Sequence, residues 1–115
     1  MPSYDMSKSP NYHANITGWT DAESYTENAT SIDFFHQAIH YMGTYDYTLA
    51  LEWWDSKNGI WKAVELQDGY MAYKVTKYFY LAGKPAGSYR MTGYYTPEGR
   101  STTYINRTPA FIVKR

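Results

Sequence analysis

Hydrophobic and polar positions alternate along most of this chain, which is the period of a half-buried β-strand rather than of a helix. Tyr12, Ala14 and Ile16 alternate with His13, Asn15 and Thr17, predicting a first strand that ends near Gly18 and Trp19. Residues 21–28 read as a connecting loop. From Asp46 onward Tyr47, Leu49, Leu51 and Trp53 fall on one face, and Thr48, Ala50, Glu52 and Trp54 on the other. Asn58-Gly59 follows, the residue pair favoured in a two-residue type I′ hairpin turn. Pairing Lys57 with Ile60 sets Leu51 opposite Leu66, Trp53 opposite Val64 and Asp55 opposite Lys62, so that the first two pairs build a core face. Residues 70–81 alternate again, with Met71, Tyr73, Val75, Phe79 and Leu81 inward and Tyr70, Lys74, Thr76, Tyr78 and Tyr80 outward. Lys77 interrupts the inner set and marks a rim. Segments 101–105 and 110–113 supply closing strands, consistent with one strand broken at Pro109.

One segment has a different period. On a helix turning about 100° per residue, Ile32, Phe34, Phe35, Ala38, Ile39 and Met42 fill one half, while Asp33, His36, Gln37 and His40 gather on the other. Thr30 and Asp33 resemble a capping box, and Gly43 suits a left-handed helix terminus. The pattern predicts a short amphipathic helix over 31–42, with a strand as the competing reading. Residues 1–10 are polar, hold two prolines and show no period, which predicts a flexible leader or edge segment before a single domain over 11–115.

Roughly six to eight short strands separated by regular turns predict a mainly β domain, an antiparallel two-sheet β-sandwich. Within 81–90 a turn containing Gly83, Pro85 and Gly87 precedes Tyr89, which shares a face with Met91 and Tyr95. This run of about ten residues resembles the corner of immunoglobulin and fibronectin type III sandwiches, where a tyrosine hydroxyl bonds back to the preceding loop. The resemblance implies that Tyr89 is buried with its hydroxyl on nearby backbone. It is a likeness of fold and carries no function.

Composition narrows the function classes. Eleven basic residues balance eleven acidic ones, so no overall field gathers nucleic acid or an anionic membrane by charge alone, and neither a nucleic-acid partner nor stable membrane insertion is expected. No apolar run reaches the roughly 20 residues that span a bilayer. The start Met1-Pro2-Ser3-Tyr4-Asp5 lacks the charged and apolar regions of a signal peptide. It also fits a chain whose export signal has been removed. The absence of cysteine excludes disulfides, thiolate catalysis and cysteine-ligated zinc. Cysteine-free, Tyr/Thr/Ser/Asn-rich composition predicts a secreted or surface-associated protein of bacterial type. Asn15, Asn28 and Asn106 each begin an Asn-X-Thr triplet, a frequent chance match in such a composition.

Fourteen tyrosines and four tryptophans direct attention to the strand faces. The predicted hairpin register sets Trp54 opposite Ala63 and diagonal to Trp61, with Glu52 facing Glu65. Two indoles beside two carboxylates form a sugar-binding platform in this register, or a second core if the helix covers them. The facing glutamates are also the pair a glycosidase would use, although a domain this small rarely encloses a sugar. Tyr70, Lys74, Tyr78, Tyr80, Arg90 and Tyr94 form a second candidate face if their two strands are consecutive neighbours. Tyrosine with scattered basic groups is the composition of adaptable protein-binding surfaces. Asp33, His36 and His40, spaced on a polar helix face, are a candidate metal site. No cofactor motif is present. The expected function is a non-enzymatic binding module for a protein or glycan. A small metal-dependent or hydrolytic enzyme and a self-associating or membrane-active effector are the alternatives.

Overall fold

The structure, a computed structural model, describes residues 5–39 and 44–115. A 3₁₀ turn at Met6–Lys8 precedes nine strands: β1 Ile16–Thr20, β2 Ser24–Tyr25, β3 Ser31–Ala38, β4 Tyr45–Asp55, β5 Ile60–Met71, β6 Lys74–Tyr80, β7 Gly87–Pro97, β8 Tyr104–Arg107 and β9 Phe111–Val113. They form two sheets. The smaller has the order β1-β3-β6, and the larger β2-β9-β7-β4-β5, with β8 also paired to β7. All pairings are antiparallel except β2 with β9. The mainly β, two-sheet architecture is the expected one. Ile32, Phe34 and Phe79 of the smaller sheet meet Leu49, Leu51, Met91 and Tyr95 of the larger in one buried core.

The helix expected over 31–42 is a strand over its described part. Ser31–Ala38 alternates in burial, with Ile32, Phe34, His36 and Ala38 inward. Its backbone groups pair with β1 on one side and β6 on the other, and a central strand with both ladders filled outweighs a marginal helical pattern. The outward Phe35 stacks on Trp19 at 6.0 Å, which is why an apolar residue appears on the polar side of the alternation. His40, Met42 and Gly43 lie outside the described residues.

The hairpin between β4 and β5 exists, but its turn and register differ from expectation. Ser56 to Gly59 form a four-residue loop, and Asp55 pairs with Ile60. A type I′ turn needs positive φ at both central residues, and here only Gly59 has it, at 68°. Asp55 organises the loop instead. Its Oδ1 accepts from the Lys57 and Asn58 amides, its Oδ2 accepts from Asn58 Nδ2, and its carbonyl accepts from the Gly59 amide at 2.7 Å. The Lys62 ammonium 2.9 Å away, with Asn58, holds the Asp55 carboxyl down to about 2. A register irregularity between Leu51 and Glu52 then places Leu51 opposite Glu65 and Ala50 opposite Leu66.

Segment 70–81 is not one strand. It breaks after Met71, and the chain passes from the larger sheet to the smaller through Ala72 and Tyr73. Met71 and Phe79 remain in the core on both sides of the break, whereas Tyr73 is exposed. At the edge, Lys84 Nζ bonds Glu65 Oε1 and the Tyr80 carbonyl, and Gln67 Nε2 bonds Glu65 Oε2 and the Tyr78 carbonyl. These side chains occupy backbone acceptors on β6, the edge strand of the smaller sheet.

The tyrosine corner is present. Tyr89 is fully buried and its hydroxyl donates to the Pro85 carbonyl at 2.5 Å. Burial pushes the phenol up to about 12. β8 and β9 lie along the same side of β7, interrupted around Pro109. Thr108 bridges the gap, its amide donating to the Met91 carbonyl and its Oγ1 accepting from the Met91 amide. Buried Asn106 donates to the carbonyls of His13 and Ile16 and accepts from the His13 amide, so its Asn-X-Thr triplet has a structural use. In the segment expected as a leader, Met6 is buried and Asp5 bridges to Trp19 at the edge of β1.

Candidate binding face

Strand alternation divides the larger sheet's side chains between core and outer face. On β4 the outward set is Asp46, Thr48, Ala50, Glu52 and Trp54, and on β7 it is Arg90, Thr92, Tyr94 and Thr96. The bulge brings Trp61, Ala63, Leu66, Asp68 and Tyr70 of β5 to the same side, and β8 adds Ile105 and Arg107. The nine described strands all belong to the two sheets, and the N-terminal segment borders this face at its Arg90 end, where Ser9, Pro10 and Asn11 lie beside Trp61, Ile105 and Arg107. Leu66 is 61% exposed, Tyr70 71%, Trp54 36% and Ile105 36%.

Charge and aromatic rings are organised at the hairpin end. Trp54 lies directly opposite Trp61, with ring centroids 5.3 Å apart and planes tilted by 58°. Arg90 Nε donates to Glu52 Oε1 at 2.6 Å, and Thr92 Oγ1 donates to the same oxygen at 2.5 Å. The Arg90 guanidinium carbon sits 4.4 Å from the Trp61 ring centroid. Glu52 therefore fixes a cation on an indole face, an arrangement that costs the arginine little further ordering when a ligand arrives. Beyond it, a cleft of about 340 Å³ is lined by Trp61, Arg90, Ile105, Arg107, Thr108 and Asn11.

The opposite end is acidic. Asp46, Thr48, Asp68, Tyr70, Tyr94 and Thr96 line an open cleft of about 530 Å³. Thr48 Oγ1 donates to Asp68 Oδ1 at 2.6 Å. A third concavity, about 470 Å³, lies on the smaller sheet and is lined by residues including Trp19, Phe35, Gln37, Lys74 and Thr76.

The expected site residues are redistributed by this topology. Glu52 and Glu65 lie on opposite faces of the larger sheet, because Glu65 shares the inward side of Leu51 while Glu52 faces out opposite Ala63. They do not form an acid/base pair. Trp54 and Trp61 do come together, more closely than expected, and among the described residues no helix covers them. The tyrosine row divides: Tyr70, Arg90 and Tyr94 lie on the larger sheet, whereas Lys74, Tyr78 and Tyr80 lie on the smaller, since β6 pairs with β3 and not with β7.

The candidate metal set is also divided. Asp33 and His36 project to opposite faces of β3, and His40 lies outside the described residues. No group of three metal-ligating side chains occurs among the described residues. His36 is a core residue, 1% exposed, with Nδ1 3.0 Å from Tyr95 Oη and its ring 4.6 Å from that of Tyr47. Burial, helped by the Lys77 charge, holds its imidazolium down to about 3.

Leu66, Ile105, Arg107, Asp46 and Asp68 were not legible as site residues. Expected register put Leu66 inside. The signal against that register was the facing of Glu52 by Glu65, a like-charge opposition that strands avoid. Moving Glu65 across the sheet removes it and exposes Leu66.

Comparison of the chain with protein-family models, with curated proteins and with solved structures finds no match in any of the three. The immunoglobulin and fibronectin likeness thus remains the analogy carried by the tyrosine corner. Among the described residues no helix is long and apolar enough to cross a membrane.

Proposed function

We propose that the protein is a non-enzymatic binding module, that its working surface is the outer face of the larger sheet, and that the partner is another protein. The observation carrying this reading is the joint display of Trp54, Leu66, Tyr70 and Ile105 on one uncovered face, beside an arginine already stacked on Trp61. Tryptophan, tyrosine and arginine dominate the energy of protein interfaces, and on this face exposed apolar side chains stand among polar and charged ones, the mixture such interfaces use. Exposed leucine and isoleucine favour a polypeptide, because aliphatic side chains give no flat platform for a pyranose ring. A glycan is the second reading, supported by the two indoles. Against it, one face of Trp61 is taken by Arg90, and the 58° tilt gives no common plane. Export to the cell surface or medium belongs to this proposal on composition alone.

Leu66→Glu should leave the melting temperature close to that of the parent, since Leu66 is 61% exposed, and Trp54→Ala, which also loses the contact with Trp61, should lower it modestly without unfolding the domain. Quantitative affinity capture should then show one or more proteins bound by the parent and by Tyr80→Ser but lost from the two large-sheet variants. Capture that survives both large-sheet substitutions and is lost with Tyr80→Ser contradicts the choice of face. Binding confined to a glycan array, and abolished by Trp54→Ala, would replace the protein reading with the glycan one.

A further inference from the structure

We infer that the basic end of this face is an anion site, formed by Arg107 and Arg90 beside Trp61, which takes a single carboxylate carried next to an apolar group. This rests on the reading of the face given above and names the chemistry that end selects: an acidic side chain of the partner flanked by a hydrophobic one.

Charge at this end of the face is unbalanced. Two guanidinium groups line the cleft, and Glu52, the carboxylate beside them, is bound by Arg90 and Thr92. The ion pairs among the described residues are Lys62–Asp55, Lys84–Glu65 and Arg90–Glu52, so Arg107 has none. One positive charge is left unneutralised there. Arg107 Nε is moreover buried without a hydrogen-bond partner. Buried polar groups are almost always paired, and an unpaired one is costly enough to require an explanation. Nε is enclosed, so an oxyanion in the cleft reaches it only when the guanidinium turns outward, a movement that breaks no protein hydrogen bond at Nε.

Position and shape select the kind of anion. Arg107 stands directly opposite Thr92 in the β7–β8 register, which sets it alongside the Arg90–Glu52 pair. Arg90 Nε is committed to Glu52. A surplus of one charge suits a monoanion and gives a phosphate dianion or a polyanion little advantage. The planar guanidinium fork matches the planar carboxylate in geometry as well as charge. Trp61 and Ile105 supply an apolar wall in the same cleft, and a space of about 340 Å³ accommodates a small side chain rather than an extended ligand.

The test uses the whole chain and small probes. Nitrogen-edited NMR follows the Arg107 and Arg90 Nε–H and Trp61 indole N–H signals during titration with N-acetyl-Glu-Leu-amide, with N-acetyl-Gln-Leu-amide and sodium sulfate as comparisons. The glutamyl probe should give saturable shifts at Arg107 and Trp61, with binding at least about tenfold weaker for the glutaminyl probe, a difference of about 1.4 kcal/mol. Arg107→Gln should abolish the response, and Arg107→Lys, which keeps charge without the fork, should weaken it. Equal responses to the two dipeptides, or no saturation below about 50 mM, a Kd weaker than any useful fragment contact, would overturn the site. Sulfate binding tighter than the glutamyl probe overturns the carboxylate assignment. If the dipeptide fails while Leu66→Glu still abolishes capture of the protein partner, the anion site is wrong and the larger reading of the face stands.

Discussion

Acid should weaken this fold through His36. The imidazole lies in the core against Tyr47 and Tyr95, and is held neutral with a folded value of about 3 against 6.5 in the unfolded chain. A depressed folded value favours the native state above the unfolded value, and that contribution is lost as pH falls from about 6.5 toward 3, because the unfolded chain takes up a proton the native chain refuses. At about 1.36 kcal/mol per unit, the loss relative to neutral pH is about 2 kcal/mol at pH 5 and about 3 kcal/mol at pH 4. Asp55 acts in a lower window. Its native value of about 2, set first by the Lys62 hydrogen bond, contributes fully above the ordinary carboxylate range and is lost only below about pH 4. Urea unfolding at pH 7.5, 6 and 5, followed by tryptophan fluorescence, separates the two. The difference between the parent and His36→Gln should grow from near zero at its neutral-pH reference to about 2 kcal/mol at pH 5. Parallel profiles for parent and variant would refute the assignment of this pH dependence to His36.

Two further substitutions probe how the sandwich is held. Tyr89→Phe removes the donor to the Pro85 carbonyl from a buried ring and should cost about 1–3 kcal/mol by denaturant unfolding, whereas an unchanged midpoint would remove the corner from the account. Asn106→Ala deletes three bonds to His13 and Ile16 and should cost about 2–4 kcal/mol, with amide exchange in residues 13–16 accelerating first; uniform exchange would show that the segment is held by packing instead.

Alternation in the sequence was enough to reveal β4, β7, the hairpin and the two-sheet class, because those strands bury one face and expose the other. It failed where a side chain broke the usual correspondence between polarity and burial. His36 is inward and Phe35 outward, so β3 lost its strand signature and acquired a helical one. The hairpin register differs from the predicted one because Asn58-Gly59 is not the whole turn: the Asp55 side chain organises a four-residue loop. The bulge at Leu51/Glu52 puts Leu66 outward and Glu65 inward relative to the expected register, which separates the two carboxylates and exposes Leu66. Nothing in the composition of 70–81 marks the passage between sheets: there is no Gly or Pro at Ala72-Tyr73, and the core residues keep their parity across it. The tyrosine face was therefore legible residue by residue but not as a surface, since its division depends on which strands pair.

The most direct test of the binding face is its footprint. Hydrogen exchange measured on the free protein and on its complex with the partner captured by the parent chain should show protection in peptides covering 61–70, 90–96 and 104–108, with 74–80 of the smaller sheet unchanged. Saturation transfer from the partner to the methyl groups of Leu66 and Ile105 should agree. Protection concentrated at 74–80, with the Leu66 methyls unperturbed, would place the partner on the smaller sheet and contradict the account.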